Sequence, residues 1–198
     1  VAENKVTFGL QDLHIAPWTA ASTSTAPAYE TPIAVPGAVR FTPTTVGDTT
    51  SFYADNRAYF TVTTNNGYTF EIEIAKLPDA LAAELLGWEI DANGALVETT
   101  DGIAKHFALM AQVQGDVQNR RFVYYDCQVS RPAKERTTKT ETTDITGEVL
   151  AGTASPVIVG GKSFTRVEIE RTTANAAEYD GFFSEVYMPE FAAVPGGA

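Results

Sequence analysis

Few residues of this 198-residue chain are of types that do chemistry, and their spacing argues against most of it. His14 and His106 are its only imidazoles and Cys127 its only thiol, and no two of them stand at metal-ligand spacing. Cys127 falls in the alternation Val123, Tyr125, Cys127, Val129, which suits a small buried apolar residue. A nucleophilic thiol would need an exposed setting that lowers its pKa, with a base nearby, and nothing local supplies one. Gly161-Lys162-Ser163 imitates the end of a phosphate-binding loop, but the glycine that motif requires five residues earlier is Pro156, and strand-like sequence follows. Glu71 with Glu73, and Glu168 with Glu170, sit at i and i+2. On a strand that spacing puts two carboxylates on one face roughly 6 to 7 Å apart, compatible with glycoside hydrolysis but equally the spacing of any solvated strand face. The wet face is the preferred reading. Trp18 and Trp88 could stack on sugars, yet they have no companions at a defined spacing and read as packing or interface residues. The expectation is therefore no enzyme, no cofactor and no metal.

Composition narrows the classes further. Fourteen basic against 25 acidic residues give a formal net charge of −11, the wrong sign for a surface that grips phosphates or anionic lipid. With 44% hydrophobic and 20% charged residues the chain is ordinary globular material for one domain over residues 1–198, able to bury about 70% of its unfolded surface. One cysteine makes an internal disulfide impossible. No apolar run approaches the ~20 residues of a membrane helix, no basic stretch leads into an apolar one at the start, and no Asn-Xaa-Ser/Thr triplet occurs. Neither membrane binding nor export is expected, and the protein is expected to work inside the cell that makes it. Abundant threonine, with 11 Phe and 8 Tyr, favours pleated structure.

The elements that must carry these side chains read mostly as strands. Residues 6–8 open one, which 13–16 extend before Pro17. Residues 19–36, rich in Ala, Ser, Thr and Pro, read as a long loop or arm. A strand over 38–42 leads into a polar loop over 43–51, and 52–53 resume extended structure before the turn signal Ala54-Asp55-Asn56. Residues 59–64 and 68–75 flank Asn65-Asn66-Gly67, whose Asn-Gly pair suits a tight hairpin. Tyr68, Phe70, Ile72 and Ile74 share one face and Thr69, Glu71 and Glu73 the other, so one face is core and one is wet. Asp79 is the expected N-cap of a short helix through Leu86, with Leu81 and Leu85 stacked and Gly87 as its stop. Asp91 to Gly94 turn a second hairpin. A third pairs 107–113 with 121–130. Residues 137–146 are polar on both faces, 157–171 form a last hairpin around Gly160-Gly161, a helical turn over 175–179 precedes extended residues 182–187, and 192–198 form a flexible tail. The fold class expected is mainly β, a β-sandwich or partial barrel with one short flanking helix and extended loops or arms.

Taken in order, these stretches resemble the major tail protein, or tail tube protein, of long-tailed bacteriophages. The resemblance rests on Lys5-Val6-Thr7-Phe8-Gly9-Leu10 with Ala16-Pro17, Pro36-Gly37-Ala38-Val39, Tyr53-Ala54-Asp55-Asn56, Asn66-Gly67-Tyr68, Ile72-Glu73-Ile74-Ala75 and Leu77-Pro78-Asp79. Phe107-Ala108-Leu109, Gly115-Asp116, Arg120-Arg121, Tyr125-Asp126-Cys127, Ser130-Arg131-Pro132 and Phe182-Phe183 with Val186-Tyr187 and Pro189 continue it. Phe70 stands where relatives often carry glycine. No immunoglobulin-like C-terminal domain follows, so no surface-decoration role is expected.

The resemblance implies a virion protein assembled in the host cytoplasm. Six copies would form a ring, rings would stack into a hollow non-contractile tail tube, and strands from all copies would close an inner barrel. Its partners would be other copies of itself, tail proteins at the tube ends, the tape measure protein, and DNA passing without specific binding. Glu71, Glu73, Glu168 and Glu170, with residues 137–146, are the candidate lumen-facing groups, where acidic side chains would repel the genome in transit. By the same resemblance the N-terminal segment, the C-terminal tail and the loop holding Thr44, Thr45, Val46, Gly47, Asp48, Thr49 and Thr50 would reach between rings. A β-sandwich module of a phage baseplate that binds carbohydrate or a receptor is the main alternative, and an enzyme with dispersed carboxylates ranks last.

Overall fold

In chain order, residues 8–115, 119–133 and 147–191, those described in this computed structural model, form β1 (Leu10–Pro17), β2 (Ile33–Ala34), β3 (Ala38–Thr45), β4 (Thr49–Ala54), β5 (Arg57–Thr63) and β6 (Tyr68–Ile74). Next come α1 (Asp79–Leu86), β7 (Glu89–Ile90), β8 (Leu96–Val97), β9 (Phe107–Val113) and β10 (Arg121–Val129). The last third holds β11 (Glu148–Ser155), β12 (Val157–Val159), β13 (Lys162–Phe164), β14 (Arg166–Ile169) and α2 (Ala176–Asp180). The fold is mainly β, as composition implies.

Eight strands join one antiparallel sheet in the order β2-β1-β9-β10-β11-β6-β3, with β14 added on β10. β10 holds β9 along one edge and divides the other, residues 121–124 pairing with β14 and 126–129 with β11. The ladder with β9 shifts register between Tyr124 and Cys127, at the point where the other edge passes from β14 to β11. The sheet then rolls. Phe41 on β3 packs against Phe122 and Tyr124 on β10, with ring centroids 5.8 and 5.2 Å apart, and β3 returns to within 8 Å of β1. The result is a partial barrel filled by Leu13, Ile15, Ile72, Ile74, Leu109 and Leu150 and closed by Leu81 and Leu85 of α1.

A second layer covers part of the outer face. β9 is buried almost throughout because Phe107, Leu109 and Ala111 face the barrel interior while Ala108 and Met110 face this layer. Val157, Ile169, Tyr179 and Phe182 complete it with Val123 and Tyr125. Two contacts fasten it: the Tyr125 hydroxyl donates to the Tyr187 carbonyl at 2.8 Å, and the Arg121 guanidinium lies between the Tyr179 and Phe183 rings at 4.0 and 4.7 Å.

Several sequence expectations hold and several do not. β6 alternates as expected, with Phe70, Ile72 and Ile74 buried and Glu71 exposed. Phe70 has room because Gly152 lies directly opposite on β11, where a Cβ would meet the Phe70 ring at 2.6 Å. The helix spans the expected residues and stops at left-handed Gly87, but Asp79 is its first residue and Pro78 its N-cap. The Asp91 turn stands, its carboxylate accepting from the Asn93 and Ala95 amides at 2.9 and 2.7 Å, which holds it below the usual carboxylate range. Asn65-Asn66-Gly67 is not a hairpin turn. β5 pairs with β4, and β6 with β3 and β11. Residues 43–51 are not one loop either: β3 runs through Thr45, β4 starts at Thr49, and only residues 46–48 lie between. Residues 19–36 are tied down by Glu30 N–H donating to the Pro17 carbonyl and by Val35, which is buried against the core. Residues 182–187 are irregular, anchored by Phe182, not extended in a sheet. A second short helix, α2, occupies the expected helical turn. Residues 6, 7, 137–146 and 192–198 lie outside the described residues.

Candidate functional site

Threonine and aromatic residues between 41 and 63 favour extended structure, and the chain uses them to prolong one sheet edge into an arm. β3 and β6 pair from Ala38–Ile74 to Thr45–Tyr68, and β4 and β5 continue the same two chains from Thr49–Thr63 to Ala54–Arg57. Between the two ladders the Val46 amide donates to the Gly67 carbonyl, the Asn66 amide to the Val46 carbonyl and the Thr64 amide to the Asp48 carbonyl, at 2.9, 2.8 and 2.9 Å. Residues 38–74 are thus one long hairpin with a bend at 46–48 and 64–67. Its tip is Asp55-Asn56, both at positive φ (53° and 58°), the geometry a two-residue turn requires. Beyond the bend the seven residues of β5 carry the ribbon about 20 Å.

The ribbon has two different faces. On one, Ser51 and Thr61 hydroxyls meet at 3.1 Å, and so do those of Thr49 and Thr63. On the other, Phe52 lies opposite Phe60 and Thr50 opposite Val62. A bulge between Phe52 and Tyr53 leaves both Tyr53 and Tyr59 exposed near the tip. Phe52 is 63% and Phe60 61% exposed, so among the described residues nothing covers this apolar side. Of the candidate inter-ring residues, Thr44 and Thr45 end β3, Val46, Gly47 and Asp48 form the bend, and Thr49 and Thr50 begin β4.

The second surface is the outer face of β3, β6, β11 and the end of β10, which the C-terminal layer leaves bare. Register aligns Thr44, Thr69, Thr153 and Gln128 in one row across four strands, and Thr42, Glu71 and Ala151 in the next. These residues line a shallow trough of about 750 Å³. Glu73 sits one row further on, 3.5 Å from Arg40.

The four candidate acids do not share this face. Glu168 pairs with Phe122 in register, on the barrel-interior side of β10. It is 3.2 Å from Arg166 and 3.8 Å from Arg120, and Arg120 also donates to Glu170. Arg166 in turn reaches the Tyr124 hydroxyl at 3.4 Å, so Glu168 and Glu170 belong to an arginine-rich knot at the mouth of the barrel.

The remaining chemically capable groups are occupied locally. His14 stacks on Phe183 with centroids 4.5 Å apart and has Nδ1 2.9 Å from the Asp12 carbonyl. His106 Nδ1 lies 2.5 Å from Asp126 Oδ1, and its ring stacks on Trp18. Nothing in the sequence signals this pair across 20 residues. Trp18 also donates to the Tyr125 carbonyl at 3.2 Å, and Trp88 packs against the core. Lys162 of the rejected phosphate-loop look-alike covers the Phe191 ring. Cys127 is fully buried, and burial pushes its thiol well up. A thiol-specific reagent is therefore expected to modify the native protein at least about 100-fold more slowly than the urea-unfolded chain. Stoichiometric labelling of the folded protein within minutes would contradict the burial. No helix among the described residues is long and apolar enough to cross a membrane.

No protein-family model matches this chain, and no curated protein shows significant similarity to it.

Proposed function

We propose that the chain is a structural virion protein that polymerises as stacked six-membered rings into a phage tail tube, a conduit for genome DNA during ejection. The observation that carries this reading is the arm over residues 49–63, a two-stranded ribbon with Phe52, Phe60 and Val62 uncovered. An isolated two-stranded ribbon is marginal in water, so an arm of this kind gains its stability from a neighbour. The exposed polar face of the four-stranded end of the sheet supports the same reading, because a surface that meets moving DNA must offer it little cationic grip, and the one arginine at its border, Arg40, is answered by Glu73. Glu71 and Glu73 lie on that face, Glu73 beside Arg40, whereas Glu168 and Glu170 lie elsewhere, in the Arg120 and Arg166 knot. The protein would be assembled in the host cytoplasm, with other tail proteins at the tube ends and the tape measure protein within.

Negative-stain images of the concentrated protein test the reading: rings with six-fold symmetry or tubes are expected, and monodisperse monomers that bind glycans would replace it with the baseplate-module reading. In phage carrying Glu71→Lys and Glu73→Lys, tubes are expected to form normally while genome delivery slows or stalls. Normal infectivity from such particles would remove both residues from the lining. The repulsion at issue acts over ~8 Å at physiological salt, so distant surface acids cannot substitute for them.

A further inference from the structure

The arm needs a receiving surface, and the charges single one out. Most cations of the described residues are engaged: Arg40, Lys105, Arg120, Arg131, Arg166 and Arg171 with carboxylates, Arg121 and Lys162 with aromatic rings. Among the described residues only Arg57 and Lys76 have neither kind of partner. Arg57 is the first residue after the arm's tip and the only basic residue between positions 41 and 75. It pairs with Ala54 in the last row of the ribbon, at the far end of the arm.

The complementary surface lies on the C-terminal layer. A cleft of about 540 Å³ there is walled by Val186, Tyr187 and Met188 and rimmed by Glu178, Glu185 and Glu190, all three exposed. None of these glutamates forms an ion pair within the described residues. An apolar wall with an acidic rim matches the ribbon's apolar side, where Arg57, next to Asp55 of the turn, supplies the one cation of the arm for the rim to hold.

We infer that the arm of one copy docks in this cleft of the next, with Arg57 against the Glu178, Glu185 and Glu190 rim and the Phe52 and Phe60 side against Val186 and Met188. The inference rests on the assembly reading above and names its contact. Donor and acceptor are different patches, so the interface is heterologous and propagates from copy to copy, closing into a ring or continuing as a filament.

The test is disulfide trapping in the full chain, where buried Cys127 is silent. Chains carrying Arg57→Cys are mixed with chains carrying Glu185→Cys at a concentration where the parent protein assembles, then oxidised. Cross-linked dimers from the mixture, and a ladder of multimers from the Arg57→Cys/Glu185→Cys double variant, are expected. Arg57→Glu should raise the concentration needed for assembly about tenfold or more, and adding Glu178→Lys with Glu185→Lys should restore it. Rings or tubes that form without cross-linking, or that form equally well from Arg57→Glu, overturn this contact and leave the assembly reading standing. A parent protein that never assembles overturns both. Thermal melting close to the parent's in every variant shows that a lost assembly is not a lost fold, since all the substituted positions are exposed.

Discussion

A chain carrying Phe52→Asp and Phe60→Asp should remain folded and assemble into nothing. Both rings are more than 60% exposed and face each other across a ribbon that lies outside the core, so losing the pair and setting two carboxylates opposite each other should cost about 1 to 2 kcal/mol, confined to the ribbon. For a domain of this size that is a melting shift of only a few degrees. Assembly responds quite differently if the pair is covered by a neighbour. Each buried phenylalanine contributes about 1.5 to 3 kcal/mol, and a carboxylate in its place must be desolvated as well. Losing two per contact corresponds to about a 10³-fold rise in the concentration at which rings or tubes appear. Sedimentation and negative-stain imaging of parent and variant at matched concentrations read this directly. Tubes from the variant at the parent's concentration would show that the ribbon's apolar side is not where copies meet.

Gly67→Ala, in the bend that carries the arm, is expected to be strongly destabilising. Gly67 sits at φ +98°, where side chains are strained, and a Cβ there would lie 2.2 Å from the Ala154 carbonyl oxygen. That oxygen belongs to β11 and cannot swing aside as a side chain would. Strain and overpacking together put the cost at about 2 to 4 kcal/mol, a melting drop of roughly 5 to 15 °C. Gly94→Ala is the matched control: φ is +82°, but a Cβ there meets nothing within 4 Å, so only the backbone term of about 1 kcal/mol remains. Equal melting of the two variants would mean that the clash is relieved by movement of the bend.

Much of the fold was readable one segment at a time. The alternation in β6, the Leu81 and Leu85 stack ended by Gly87, the Asp91 turn and the β9 to β10 hairpin all depend on neighbours within a few residues, where propensity and period act. Pairing was less readable. Asn65-Asn66-Gly67 has the residues of a tight turn and Gly67 the positive φ, but the bend it makes is hydrogen-bonded to Val46 of the facing bend and lies close against Ala154 of β11, and the hairpin turns at Asp55-Asn56 instead. The threonines of 44–50 look like loop because they are polar, yet threonine is at home in an exposed strand, and here polarity marks the solvent side of a ribbon. The split of the four glutamates follows from β14 joining β10, which period alone cannot reveal. The cleft rimmed by Glu178, Glu185 and Glu190 depends on how an irregular segment drapes over Phe182, and nothing in its composition announces that path.

The two-faced ribbon also limits how related chains could change its reach. Adding one residue to each of β4 and β5 would exchange the sides of everything beyond the insertion and turn Phe52 and Phe60 to where Ser51 and Thr61 now lie. Growth or shortening that keeps the tip's orientation must therefore come two residues per strand, in steps of about 7 Å. Spacing between successive molecules in any polymer built through this ribbon would change by jumps, never by gradual drift.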